Sequence, residues 1–276
     1  MKNRNTLFGI LVLAFVLCAC SSNTTTKTNI VEEAILVADD DHMKKQGTNY
    51  RIPTPLDMFV LVKSSGAPFI EEALNSPLNK IHYNSTVSRS VNFGVYITDL
   101  AYCSVYGNFQ GSLIYFNAAK EISVDLGMYE GYGEEMAKRI NENLNNIDSL
   151  IDISTDSFYQ TTNFLNEQGM SDIMAFIMVG CWIESTYIAF EAVDEFLLSN
   201  PIVERIADQQ FLLENLIELC KLNNESDAMQ EVLEKLLELQ EVFDNLYFNS
   251  EDMLITKTQY VDIANKVREL RQNFVR

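Results

Sequence analysis

Apolar residues recur at helical spacing along most of the chain. The clearest case is residues 171–200, where Ile173, Phe176, Ile177, Gly180, Tyr187 and Ile188 form one stripe that Met174, Met178, Cys181 and Trp182 widen. A helix apolar around so much of its circumference is expected at the centre of a fold, with Ser171 as its N-cap and Pro201 opening the next helix. Residues 201–222 keep the spacing through Ile206, Leu213, Leu216, Ile217 and Cys220. Residues 226–248 keep it through Met229, Leu233, Leu236, Leu239, Val242, Phe243 and Leu246, and 258–275 through Tyr260, Ile263, Val267 and Leu270. Upstream, Thr54-Pro55 starts a short helix to Val62, and 69–74 forms another short piece. Residues 85–106 and 108–126 make a hairpin across Gly107, and 131–145 and 147–168 continue the pattern. Short connections make successive helices antiparallel neighbours.

No alternating run of strand length occurs, and 5 prolines and 11 glycines in 276 residues leave little turn chemistry for a β fold. The expected fold is therefore all-α, a multi-helix bundle of antiparallel helical hairpins. Residues 107–121 resemble the second half of a tetratricopeptide repeat, with Gly107, Phe109, Ser112, Tyr115, Phe116 and Ala119 at the matching offsets, which implies repeat-like packing of that one hairpin. A 34-residue step reaches Asn141, where nothing recurs, so no array is expected.

The N-terminus follows a different rule. Lys2 and Arg4 precede an apolar run from Leu7 to Leu17 that ends in small residues, the layout of an export signal. As a helix the run covers about 18 Å, short of the roughly 30 Å hydrocarbon core. Leu17-Cys18-Ala19-Cys20 resembles the lipobox of bacterial lipoproteins, which implies cleavage after residue 19 and lipid, including palmitate, on Cys20. Cys18 fails as the acceptor, because Leu17 would then stand where the peptidase needs a small side chain. Residues 20–29 are polar and read as a flexible tether, and residues 30–276 as one helical domain, with any sub-boundary near 169–171. Ser21 follows the acceptor, not the aspartate of inner-membrane retention, and no acidic pair follows until Glu32 and Glu33. The expected place is the bacterial outer membrane, facing the periplasm, with the membrane reached through the lipid on Cys20.

Charge narrows the partners. Removing residues 1–19 takes away Lys2 and Arg4 and no acid, so the net charge of −19 becomes −21. Such a surface repels phosphate backbones, and nucleic acid is not an expected partner. After the signal and anchor, Cys103, Cys181 and Cys220 remain, at spacings far from any metal-ligand pattern. They read as buried thiols, with a Cys103–Cys181 disulfide as the alternative. No cofactor or metal is expected.

Candidate chemistry is sparse. His42 and His82 lack any motif around them and read as surface residues. The glycine-rich stretch 127–135 looks like a phosphate loop but carries Glu130, Glu134 and Glu135 and no cation, so it reads as a link. The informative residues are acids on apolar faces. Asp99 lies between Val95 and Tyr102, and Glu184 between Gly180 and Ile188, with Glu191 two turns on. Buried charges need partners, and Arg89, Arg139 and the stripe Asn141, Asn145, Asp148 and Asp152 are the candidates. Two carboxylates facing an aromatic cleft would instead perform acid and base work.

The residues around these acids, Asn92, Gly94, Tyr96, Asp99, Leu100 and Tyr102 in one helix and Gly180, Trp182 and Glu184 in another, form two patterns, N-x-G-x-Y-x-x-D-L-x-Y and G-x-W-I-E. In these patterns the chain resembles uncharacterised lipoproteins of Bacteroidota. The resemblance implies a lipid-anchored helical domain and supplies no activity. The expected polar centre is Asp99, Glu184, Arg139, Trp182 and Tyr102, with no catalytic residue assigned. The expected function is binding of an unknown protein or small-molecule ligand, and the alternative is a carboxylate-based hydrolase acting on envelope or dietary polymers. Replacing Cys20 by Ser is expected to abolish metabolic labelling with palmitate and leave the signal uncleaved; continued labelling of that variant would refute the anchor assignment.

Overall fold

The computed structural model describes residues 54–128, 134–143, 146–250 and 253–276, all within one compact unit, Tyr50–Arg276. The signal, Cys20, the tether, His42, Asn145 and residues 129–133 of the glycine-rich stretch lie outside the described residues. Residues 169–171 fall inside the unit.

Ten α-helices are present among the described residues, joined into antiparallel hairpins with no strand. They are α1 (Pro55–Ser64), α2 (Thr86–Tyr106), α3 (Phe109–Asp125), α4 (Glu134–Glu142), α5 (Ile147–Glu167), α6 (Ser171–Glu191), α7 (Pro201–Ala207), α8 (Gln209–Leu222), α9 (Asp227–Phe243) and α10 (Lys257–Val275). The helix ends follow from local chemistry. Ser85 and Ser88 form a capping box at the start of α2, and Thr256 and Gln259 form one at the start of α10. Gly107, at φ +69°, closes α2 in the left-handed conformation, and the Asn108 side chain then accepts from the Gly111 N–H to open α3.

Several boundaries differ from the sequence expectation. Met170, not Ser171, is the N-cap of α6, because the tight turn through Gly169 makes the Met170 carbonyl the first acceptor, from Met174 N–H. The same helix stops at Glu191 instead of Asn200, with Ala192 as its C-cap. The expected helix 201–222 is broken at Asp208. There the buried Gln209 amide donates to the Arg205 carbonyl at 3.1 Å, doing a backbone bond's work. Residues 65–85 form two short 3-10 turns, Glu71–Ala73 and Pro77–His82, in an otherwise irregular strap laid across α2.

At the centre, α2 and α6 cross with their backbones in contact. A Cβ on Gly94 would overlap the Ile177 carbonyl oxygen and lie 3.0 Å from Cys181 N, and one on Gly180 would overlap the Val91 oxygen and lie 3.2 Å from Val95 N. The two glycines thus let the axes approach more closely than the usual 8–10 Å of packed helices. Two hydrophobic cores flank the crossing. One is built mainly by α1 and α6–α10, including Phe59, Trp182, Leu216, Leu236 and Val267; the other mainly by α2–α5, including Phe93, Tyr96, Phe116, Leu150 and Leu165. Buried on nearly all sides, α6 is long and apolar enough to cross a membrane by length and composition, yet it serves here as the core helix.

Gly94→Ala and Gly180→Ala are each expected to destabilise the domain by about 3 kcal/mol or more, the upper range of overpacking costs, because backbone cannot move aside as a side chain can. Denaturant unfolding of both variants checks this; a loss below about 1 kcal/mol in both would show that the helices have room to separate.

Candidate functional site

One face of α2 carries polar side chains at helical spacing, and almost all of them bond to the strap. Tyr106 Oη donates to the Ala67 carbonyl at 2.8 Å, and Tyr102 Oη accepts from Ile70 N–H at 3.1 Å and donates to the Pro68 carbonyl at 3.4 Å. Asp99 Oδ2 accepts from Asn75 N–H at 3.2 Å. Tyr96 Oη donates to the Ser76 carbonyl at 2.9 Å, and Asn92 Oδ1 accepts from the Asn75 amide at 3.4 Å. Steps of three or four residues bring 92, 96, 99, 102 and 106 onto one stripe. The strap has little secondary structure of its own, and these side chains supply its backbone bonds. Burial pushes the hydroxyls of Tyr96, Tyr102 and Tyr106 above the ordinary tyrosine range, which keeps them protonated donors.

Asp99 and Glu184 meet where α2 passes α6, both 0 % exposed. Their counter-charge is Arg271 of α10. Its Nε donates to Glu184 Oε2 and its Nη2 to Oε1, both at 2.6 Å, and Nη2 also donates to the Ala73 carbonyl at 2.9 Å. The guanidinium lies over the Tyr187 ring, 4.0 Å from its centroid. Burial works against the arginine cation, but Glu184, together with smaller contributions from Asp99 and Tyr187, moves the Arg271 pKa up.

Two carboxylates and one arginine leave one charge too many for a buried site. Asp99 resolves the excess: burial, and then Glu184 beside it, raise its carboxyl well above the usual range, favouring the neutral acid. Asp99 Oδ1 has no conventional donor, and a proton on the pair supplies the missing bond between the two carboxyls. The centre is thus net neutral, an acid beside a guanidinium–carboxylate pair. Asn92 and Tyr83 complete it from the side, donating to the Phe274 and Val275 carbonyls at 2.7 and 3.3 Å and so satisfying two orphan acceptors at the end of α10.

The remaining sequence candidates lie elsewhere. Arg139 pairs with Asp156 at 2.7 Å near the surface, and Arg89 bonds the Tyr83 carbonyl and Asp125. Neither neutralises the buried acids; each has an acid close at hand on a neighbouring helix. Trp182 is two residues from Glu184 and therefore on the opposite side of α6, where it lines a water-sized crevice of about 30 Å³ with Asp57, Arg205 and Gln209. Its Nε1 has no protein partner. Tyr102, from α2, holds the strap and stacks on its Phe69, with centroids 5.0 Å apart. The Cys103–Cys181 disulfide is not formed; all three cysteines are free and buried, and burial pushes the Cys181 and Cys220 thiols up to about 12.

Sequence reasoning missed Arg271. Its position held the signal, since Ile263, Val267 and Arg271 follow each other at four-residue steps on the inward stripe of α10. It also missed the groove outside the centre, an open concavity of about 940 Å³ between the Pro77–His82 turn and the last turns of α10. Tyr187, Arg268 and Arg271 line it with Asn79 and His82, and Arg268 Nε is bonded to Glu191 at 2.7 Å.

Two substitutions separate the roles of the acids. Glu184→Gln leaves a buried guanidinium without its carboxylate and is expected to cost about 3–5 kcal/mol. Asp99→Asn imitates the neutral acid and is expected to be stability-neutral near pH 4 and increasingly stabilising above it. The sign comes from linkage: a folded-state pKa above the unfolded value near 3.9 gives stability that is complete below pH 4. It is lost at about 1.4 kcal/mol per pH unit as pH rises to the folded-state pKa. A constant difference between wild type and Asp99→Asn in unfolding from pH 4 to 8 would show that Asp99 is charged in the fold.

No protein-family model matches the chain, and no curated protein or solved structure matches it.

Proposed function

We propose that the protein is a lipid-anchored component of the bacterial cell envelope, held at the outer membrane through Cys20 and facing the periplasm, whose helical domain binds a ligand and performs no hydrolysis. The sealing of the acid pair is the observation that carries the binding reading. A carboxylate-based hydrolase needs one carboxyl to donate a proton to a leaving group and another to attack or to activate water, with the substrate between them. Asp99 and Glu184 are closed off from solvent and face each other, and both oxygens of Glu184 are held by Arg271. Substrate has no room between them. The groove beside the centre offers what recognition uses: a concave surface in the size range of small-molecule sites, with polar groups held in fixed positions. The anchor rests on the lipobox-like segment, and the likeness to Bacteroidota lipoproteins supports the same setting.

Full-length protein extracted from its envelope in mild detergent is expected to carry a bound species in native mass spectrometry, and Gln272→Trp, which fills the groove from an exposed position, is expected to lose it. Turnover of an envelope or dietary polymer that Glu184→Gln abolishes while the protein stays folded would replace this reading with the hydrolase.

A further inference from the structure

We infer that the groove between the Pro77–His82 turn and the end of α10 binds the phosphate or carboxylate group of a small ligand, with Arg268, Arg271 and Arg276 as its donors. The inference rests on the binding reading and names the ligand class. In a chain of net charge −19, three arginines and His82 gather around one concavity. The two acids that share the lining are already engaged, Glu191 by Arg268 and Glu269 by Lys266 at 3.6 Å.

Donors remain after the protein's own bonds are counted. Arg271 spends Nε and Nη2 on Glu184 and Ala73, which leaves Nη1. Arg268 spends only Nε, so both of its terminal nitrogens are left to form the fork that matches a planar or tetrahedral oxyanion. Arg271 is also rigid: bonded bidentately on one side and stacked on Tyr187, it loses little freedom when an anion arrives.

Two effects that would repel an anion are reduced. The last carbonyls of α10 carry the negative end of its dipole, but those of Phe274 and Val275 accept from Asn92 and Tyr83 on the inner side. Behind Arg271, the buried centre carries no net charge while Asp99 stays neutral, so the guanidinium is not overcompensated. Val275 and Tyr187 are the apolar surfaces of the lining, which favours a polar ligand over an acyl chain.

Calorimetric titration of the full-length protein in detergent, at constant ionic strength, tests the assignment with three probes: inorganic phosphate, citrate and dihexanoyl phosphatidic acid. Saturable binding of at least one is expected. The double variant Arg268→Gln/Arg276→Gln, whose side chains lie outside the buried centre, is expected to bind at least tenfold more weakly with unchanged thermal unfolding. Preference for phosphatidic acid over phosphate would identify a lipid headgroup as the source, and the reverse a free anion. No saturable binding by any probe, or equal affinity in the variant, overturns the oxyanion assignment. A neutral species retained in native mass spectrometry beside a silent titration would remove the oxyanion and leave the binding reading standing.

Discussion

Everything in this domain is referred to the crossing of α2 and α6. Two glycines, one in each helix, bring the backbones together, and that closeness fixes what lies about one turn away. Asp99 is five residues beyond Gly94 and Glu184 four beyond Gly180, so the two acids are delivered to the same place by the same contact. With side chains at the crossing the helices would separate, and the acids would face water or unpaired apolar surface. Helix contact and polar centre are therefore one constraint.

The centre shows how a buried ion pair is tolerated. Removing charges from water is costly, and the Coulombic return covers that cost only when every oxygen and donor is used. Glu184 and Arg271 meet that condition through two parallel bonds and a third to the Ala73 carbonyl. Asp99 meets it by holding a proton. The arrangement ties α10, the last helix, to α2 and α6. Arg268 and Glu191 repeat the connection one turn outward, at 45 % and 30 % side-chain exposure, where an ion pair contributes about 0–1 kcal/mol.

Much of this was legible from residue order, and the limits are instructive. Helices with good caps, such as α2 behind Ser85 and α9 behind Ser226, start where their sequences announce. The break at Asp208 depends on a glutamine amide turning back on its own helix, which periodicity does not register. The strap was legible only as one short piece, 69–74, because its bonding partners are tyrosines 20 to 39 residues away. Of the site, the two acids stood out as charges on apolar faces, whereas their partner did not: a cation near a helix C-terminus has an ordinary explanation in the dipole. The joint pattern of Asn92 to Tyr102 and Gly180 to Glu184 acquires a physical meaning here. Its glycines make the crossing, its asparagine, tyrosines and aspartate hold the strap, and its glutamate holds Arg271.

That division of labour has a mechanical consequence for the groove. Asn79 and His82 stand on the strap, and Arg268 and Arg271 stand on α10, so the two rims belong to different elements. The Arg271 bond to Ala73 and the Asn92 and Tyr83 bonds to the last turn of α10 set the gap between them. Widening the gap means stretching the strap against the tyrosine row; narrowing it compresses the ion pair. The aperture is therefore a sprung quantity, with its stiffness stored in hydroxyl groups that do not line it.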